Sequence, residues 1–277
     1  MNSHTHHPIL LVPGYWLGGW VWDGVVVRLT ELGYDAAAVT LPGLEAVDAP
    51  RSHQRLADHV AAVVTRVRAV GRPVVLVAHS GAGAIATAVA DHIPESLARI
   101  IYVDSGPVAD GTVPRPDLTE DDGELPFPGL AVLAAQGLSV EGLTDADKAR
   151  MEALAVPQPA GPCREAVTLH NPVRNSIPAT VVCCSIPSTM VRDLAVPGTM
   201  FAPLANLADL TLVDLPTGHW PMLSRPIHLA DVIAAETGST AVRRALSEPA
   251  ASRDERGYDY KSGLLGGPVR GVVGVAH

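Results

Sequence analysis

The sequence predicts an α/β protein, with one mostly parallel sheet of about six strands and helices on both faces. Three observations carry that reading. Short apolar runs alternate with helical periodicity through residues 8–106. The run at 73–78 is apolar throughout, as expected of a central parallel strand covered on both sides. After residue 178 the same alternation returns. Repeated strand–helix–strand order implies parallel pairing, and ligands in such sheets sit beyond the carboxyl ends of the strands.

Each element has its own justification. Residues 8–12 form the first strand, and 20–32 an amphipathic helix that stops at Gly33. A strand at 36–41 is closed by Pro42-Gly43. Ser52 suits the N-cap of a helix over 54–70, where Leu56, Val60, Val63, Val64 and Val67 recur at helical spacing. Beyond the strand at 73–78, a helix of small residues over 82–92 halts before Pro94, and 99–103 is the fourth strand. The alternation then breaks. Residues 105–178 are rich in Pro and Gly, with acidic loops and short helices, the clearest at 144–155 with Thr144 as its cap. Strands at 179–184 and 210–215, a short helical piece at 190–194 and a final helix at 226–236 complete the series. The expected organisation is therefore a core formed by 1–106 and 179–238, an insertion at 107–178, and a mobile C-terminal extension at 239–277.

Composition narrows the function classes. The chain has 277 residues and a formal net charge of −9, a balance that disfavours nucleic acid and anionic membrane surfaces as partners. Its apolar runs are too short for a spanning helix, and residues 1–12 lack the features of a secretory signal. Three cysteines, Cys163, Cys183 and Cys184, form neither a disulfide framework nor a CxxC pair. The expectation is a cytoplasmic protein without cofactor or metal. Its partner would be an apolar small molecule, and the oligomeric state is left open.

The strongest chemical signal is Val77-Ala78-His79-Ser80-Gly81-Ala82-Gly83. A serine stands where a central strand turns into a helix, flanked at two residues' distance by Ala78 and Ala82. This is the Gly-x-Ser-x-Gly nucleophile elbow with alanine at both outer positions. Small residues are needed because the turn brings strand and helix into contact. The turn pushes the Ser80 hydroxyl into the crevice and aims the Gly81 amide at the same space, where the helix favours negative charge. An idle serine in a tight turn is the bland alternative. The second signal is His219, in Leu215-Pro216-Thr217-Gly218-His219-Trp220-Pro221 just after the last strand. A neutral imidazole there can take the serine proton and return it. The third is Val12-Pro13-Gly14-Tyr15-Trp16-Leu17-Gly18-Gly19-Trp20, where Gly14 admits a close backbone approach and the Tyr15 amide can act as a second oxyanion donor. Trp20 and Trp22 read as helix anchors.

Through LLVPGYWLGGWVW, VVLVAHSGAGA and LPTGHWPMLSRP, residues 8–237 resemble the α/β-hydrolase superfamily, particularly small esterase-like members related to plant methylesterases and hydroxynitrile lyases. The resemblance implies the α/β-hydrolase fold, with Ser80 as nucleophile, His219 as general base, the Tyr15 and Gly81 amides as oxyanion hole, and residues 105–178 as a helical cap. Two departures stand out. Pro13 replaces the family's usual His before Gly14. The family's usual acid after the strand at 179–184 is also missing, since Ser185-Ile186-Pro187-Ser188-Thr189 holds no carboxylate. The superfamily's other location for the acid follows the preceding strand, where Asp104 stands. Asp104 is therefore the expected partner of His219, with Asp193 and Asp214 as rivals and a structural role for Asp104 as the alternative.

The expected activity is hydrolysis of an ester, thioester or lactone, with Trp16, Trp220, Met222 and Phe127 offering apolar surface to substrate. A lyase or cyclase that uses His219 as acid/base is the second reading, kept open by the missing acid. A non-catalytic receptor is the third. His4, His6 and His7 read as solvated, His79 as packing with its side chain turned from the crevice, and Cys183 and Cys184 as buried on opposite faces of a strand. An epoxide hydrolase would need Asp at position 80, and Gly81-Ala82-Gly83 lacks the Lys of a phosphate loop.

Overall fold

A computed structural model describes residues 6–238. The expected extension at 239–277 lies outside the described residues, as does His4. The first half of the chain lays down strands β1 (Ile9–Val12), β2 (Ala36–Ala38), β3 (Val74–His79) and β4 (Leu97–Val103), with helices α1 (Asp23–Glu31), α2 (Leu56–Val70) and α3 (Ala82–His92) between them. The segment that follows holds strands β5 (Glu124–Leu125) and β6 (Gln158–Pro159) and helices α4 (Leu130–Ala135), α5 (Asp145–Leu154) and α6 (Gly161–Arg164). Strand β7 (Ala179–Cys183), helix α7 (Ser188–Asp193), strand β8 (Leu210–Asp214) and helices α8 (Pro221–Ser224) and α9 (Pro226–Thr237) complete the fold.

The main sheet runs β2-β1-β3-β4-β7-β8, and every pairing in it is parallel. Parallel pairing places the carboxyl ends of β1, β3, β4, β7 and β8 along one rim. Alternation sends successive side chains to two cores. Leu10, Val12, Leu76 and Ala78 pack on one side with Val60, Val63 and Val67 of α2 and Ile85 and Val89 of α3. Ile9, Leu11, Val75 and Val77 pack on the other with Val25 and Leu29 of α1 and Leu229 and Ile233 of α9. Cys183 joins the first core and Cys184 the second. Burial pushes the Cys183 thiol up to about 12, as expected for an inert buried cysteine.

Two local expectations need correction. Residues 19–22 form a separate 3-10 turn, so α1 starts at Asp23 rather than Trp20. Ser52 is not the cap of α2. Arg55 holds the extended cap position, and its amide donates to Asp58 Oδ2 at 2.7 Å while the Leu56 amide donates to Glu165 Oε2 at 3.1 Å. Those two carboxylates supply acceptors that the Ser52 hydroxyl was expected to supply alone. Thr144 does cap α5, accepting from the Asp147 amide at 3.1 Å.

Candidate active site

Strand β3 ends at His79 and α3 begins at Ala82, so Ser80 and Gly81 must turn strand into helix. Ser80 takes φ +52° to do it. A non-glycine residue in such a conformation costs on the order of 1–3 kcal/mol and persists only where its surroundings hold it. Here the Ser80 amide donates to the Val103 carbonyl at 3.2 Å. The Ser80 carbonyl accepts from the Gly83 amide at 3.0 Å and from the Ser105 hydroxyl at 2.6 Å. A β-carbon at Gly83 would collide with Ser105 and Gly106, so the turn can close only on glycine there.

Asp104 follows β4 in the same way, at φ +44°. Strand pairing sets Val103 beside Val182, which brings Asp104 to the level of the turn after β7. Its Oδ1 accepts from the amides of Cys184 at 3.1 Å and Ser185 at 2.9 Å. Its Oδ2 accepts from the Ser185 hydroxyl and from His219 Nδ1, each at 2.6 Å. Burial pushes this carboxyl up, and the bonds and charge of His219, with the Ser185 bonds, more than offset it, leaving Asp104 below the usual carboxylate range.

His219 rides the loop after β8, and neighbours hold its main chain on both sides. Its amide donates to the Ser139 carbonyl at 2.7 Å, and the Gly218 amide donates to Glu141 O at 3.0 Å. A β-carbon at Gly218 would lie 2.5 Å from Ser139 O and 2.6 Å from Glu141 O, so only glycine lets the insertion approach this loop. On the other side His79 Nε2 donates to the His219 carbonyl at 2.7 Å. The ring is thereby fixed with Nε2 2.8 Å from Ser80 Oγ. Because the carboxylate of Asp104 only accepts, Nδ1 carries the imidazole proton, and Nε2 presents its lone pair to the serine hydroxyl. The arrangement can remove a proton from Ser80 and hand it on.

Beside the elbow, β1 pairs with β3 through Val12 and Ala78, which carries residues 13–16 alongside Ser80. A β-carbon on Gly14 would sit 2.8 Å from His79 Nδ1 and 3.0 Å from Ser80 Cβ, so this approach requires glycine. The amides of Tyr15 and Gly81 meet no acceptor among the described residues, and the Tyr15 ring covers the Gly81 α-carbon. Trp16 is tied to the insertion: its amide donates to Gln158 Oε1 at 3.1 Å and its indole N–H to Leu125 O at 3.0 Å. Its ring lies edge-on to Phe127, centroids 5.8 Å apart.

The structure therefore gathers Ser80, His219, Asp104, Tyr15 and Gly81, with Trp16 and Phe127 adjacent to one another and Trp220 edge-on to His219 at 5.1 Å. Met222 is placed differently. At 1% exposure it belongs to the apolar core with Trp22 and Leu17, and so presents no open surface to a ligand. Trp220 is nearly as enclosed. The carboxylate that meets His219 is Asp104 rather than Asp193 or Asp214. Asp193 closes α7, and Asp214 accepts from the Ser188 amide at 2.8 Å and its hydroxyl at 2.7 Å. Ser185, Ser105 and Gln158 are site residues to which sequence reasoning gave no role, and His79 was read as packing alone. For Ser185 the available signal was its place just past the end of β7, the strand that neighbours β4. Among the described residues no group of three or more His, Cys, Asp or Glu could hold a metal ion, and no helix is long and apolar enough to cross a membrane. His7 is held by a hydrogen bond to Pro73 O at 3.0 Å.

A family model described as alpha/beta hydrolase matches residues 9–231. No curated protein matches the sequence. Among solved structures, an extracellular α/β-hydrolase from a Paenibacillus species, described as sharing structural and functional homology with tobacco salicylic acid binding protein 2, is 16% identical with TM-score 0.67, covering 84% of this chain and 99% of that one. A pyrethroid hydrolase from Sphingobium faniae is 21% identical with TM-score 0.63, covering 85% and 98%. A methylesterase from Arabidopsis is 16% identical with TM-score 0.65, covering 83% and 98%. At these identities the likeness speaks for the shared fold.

Proposed function

Because the chain belongs to the alpha/beta hydrolase family, we propose that it is a serine hydrolase acting on an ester, thioester or lactone of a small apolar molecule. One observation carries the proposal: an unbroken chain of hydrogen bonds runs from Ser80 Oγ through His219 to Asp104, at 2.8 and 2.6 Å. In this reading Ser80 attacks the substrate carbonyl while His219 Nε2 takes its proton. Asp104 orients the imidazole and stabilises the imidazolium that forms, remaining ionised itself. The amides of Tyr15 and Gly81 hold the oxyanion, one such donor being worth about 3 kcal/mol of barrier. His219 then protonates the leaving group, and water resolves the acyl-enzyme by the reverse relay.

Trp16 and Phe127 offer aromatic surface to the apolar part of the substrate, and residues 107–178 act as a cap over the site. Two structural neighbours, named as a methylesterase and a pyrethroid hydrolase, agree with this chemistry. The 2.6 Å bond between His219 and Asp104 weakens the argument for the lyase or cyclase alternative, which rested on a missing acid.

The test is intact mass after exposure to a small phosphonylating reagent, on wild type and Ser80→Ala. One adduct on wild type, none on the variant, and turnover of an ester and lactone panel is the expected result. Folded wild type that takes no adduct and turns over no ester would sink the hydrolase reading in favour of the lyase or receptor.

A further inference from the structure

We propose that His79 is a positioning residue, which through its Nε2–H holds the His219 main chain where the His219 Nε2 reaches Ser80. The inference rests on the hydrolase reading for its effect on rate, and on geometry alone for its structural half.

His79 ends β3, one residue before Ser80, and is 1% exposed. Its Nε2 lies 2.7 Å from the His219 carbonyl, a link between positions 140 residues apart in the chain. A carbonyl only accepts, so Nε2 must carry the hydrogen. The other nitrogen, Nδ1, is buried without a partner and faces the Gly14 α-carbon. The Trp22 ring stands edge-on at 6.4 Å, and the His219 ring lies 4.9 Å away at a 47° tilt. The ionisable groups that face His79 are His219 and Asp104.

This arrangement has two consequences. With the Ser139 carbonyl on its amide and His79 on its carbonyl, residue 219 is gripped on both sides of its α-carbon. Loss of the His79 bond leaves the His219 carbonyl without its partner and lets that side of the residue shift. Enclosure also denies His79 a positive charge: burial, then repulsion from a charged His219, pushes it down to about 3. A second cation beside the imidazolium of the reaction would oppose proton transfer from Ser80, and this site excludes one. A nonpolar residue would fill the space but strand the buried His219 carbonyl, while a lysine would bring the charge.

The experiment compares His79→Leu and His79→Gln with wild type. A displacement of the base by about 1 Å costs roughly a hundredfold in rate. His79→Leu is therefore expected to lower kcat and the rate of Ser80 phosphonylation together by about ten- to a hundredfold, leaving KM within about twofold. His79→Gln keeps an N–H donor and is expected to recover most of the loss. On wild type, nitrogen NMR of the imidazoles should report a neutral, Nε2-protonated His79 between about pH 5 and 9, far above the range in which burial lets it ionise. The downfield proton of the His219–Asp104 bond should persist in His79→Gln and broaden in His79→Leu.

Wild-type kcat in His79→Leu, a fall in which His79→Gln shares equally, or a His79 that titrates in that pH range overturns the proposal. If His79→Leu does not fold, the tautomer of wild-type His79 still decides it. Failure of the hydrolase reading would show differently, as wild type that neither labels nor turns over esters while the His79 tautomer stays as stated.

Discussion

The ends of β4 and β7 lie side by side and divide one task between them. Past β4 the chain offers a carboxylate, Asp104, in a left-handed turn. Past β7 it offers only donors, the amides of Cys184 and Ser185 and the Ser185 hydroxyl, all directed at that carboxylate. Neither end suffices alone. A buried carboxylate without donors would be driven toward its neutral form, and a turn of donors without a carboxylate could not orient an imidazole. The contrast suggests a test: if the partner of His219 is defined by a place in space, a carboxylate from either strand end should serve.

The largest expected effect breaks the comparison at β4. Asp104→Asn should lower ester turnover by roughly ten-thousandfold, the loss known when a triad acid is made neutral and the imidazole tautomer is lost. Asp193→Asn, measured in the same assay, should stay near wild type. Moving the acid would sharpen the point: Ser185→Asp in the Asp104→Asn background should recover more than about tenfold over the single variant, because the two ends share one place. No recovery would show that the β7 turn cannot present a carboxylate to His219.

A smaller effect is expected at β7. Ser185→Ala removes one of four bonds to Asp104, and a hydrogen bond to a charged group contributes about 1.5–3 kcal/mol. Turnover should fall by about tenfold with KM little changed, and Ser185→Thr should keep most of the activity. An unchanged kcat in Ser185→Ala would reduce the β7 donors to bystanders.

The smallest effect concerns pH and stability. The net effect of its surroundings is to depress Asp104 in the folded chain. Its stabilising contribution is therefore fully present above the unfolded carboxylate value of about 3.9 and drains as pH falls through the folded value. Urea unfolding of wild type should accordingly show a steeper loss of stability from about pH 5 downward than Asp104→Asn shows. Parallel curves would mean that Asp104 gains nothing from its donors.

Much of the frame was legible because local rules and the global fold agree. Small residues between the elbow and Pro94 marked α3 at 82–92, the bounds observed, and Thr144 stands where a capping threonine should. The elbow and the loop of His219 were readable as strand ends. What escaped detection was contact between distant segments. Strands β5 and β6 are two residues each, separated by a long stretch of chain, and leave no periodic trace. Ser52 failed as a cap because Asp58 and Glu165 reached the helix start first. His79 was read as packing because nothing local to it tells that the loop of residue 219 passes within hydrogen-bond reach. Asp104 was reached through family resemblance, since no spacing in the sequence distinguishes it from Asp193.

The bonds that define the site join residues 139 and 115 positions apart. His219 follows the edge strand β8, which among the described residues pairs with β7 alone. Parallel strands this distant in sequence come together late, because chain entropy must be lost before they gain contacts. A partly assembled chain can hold the serine elbow long before it holds the imidazole. Under the hydrolase reading proposed above, such an intermediate carries an inert hydroxyl, and activity toward esters would arrive only with the completed sheet.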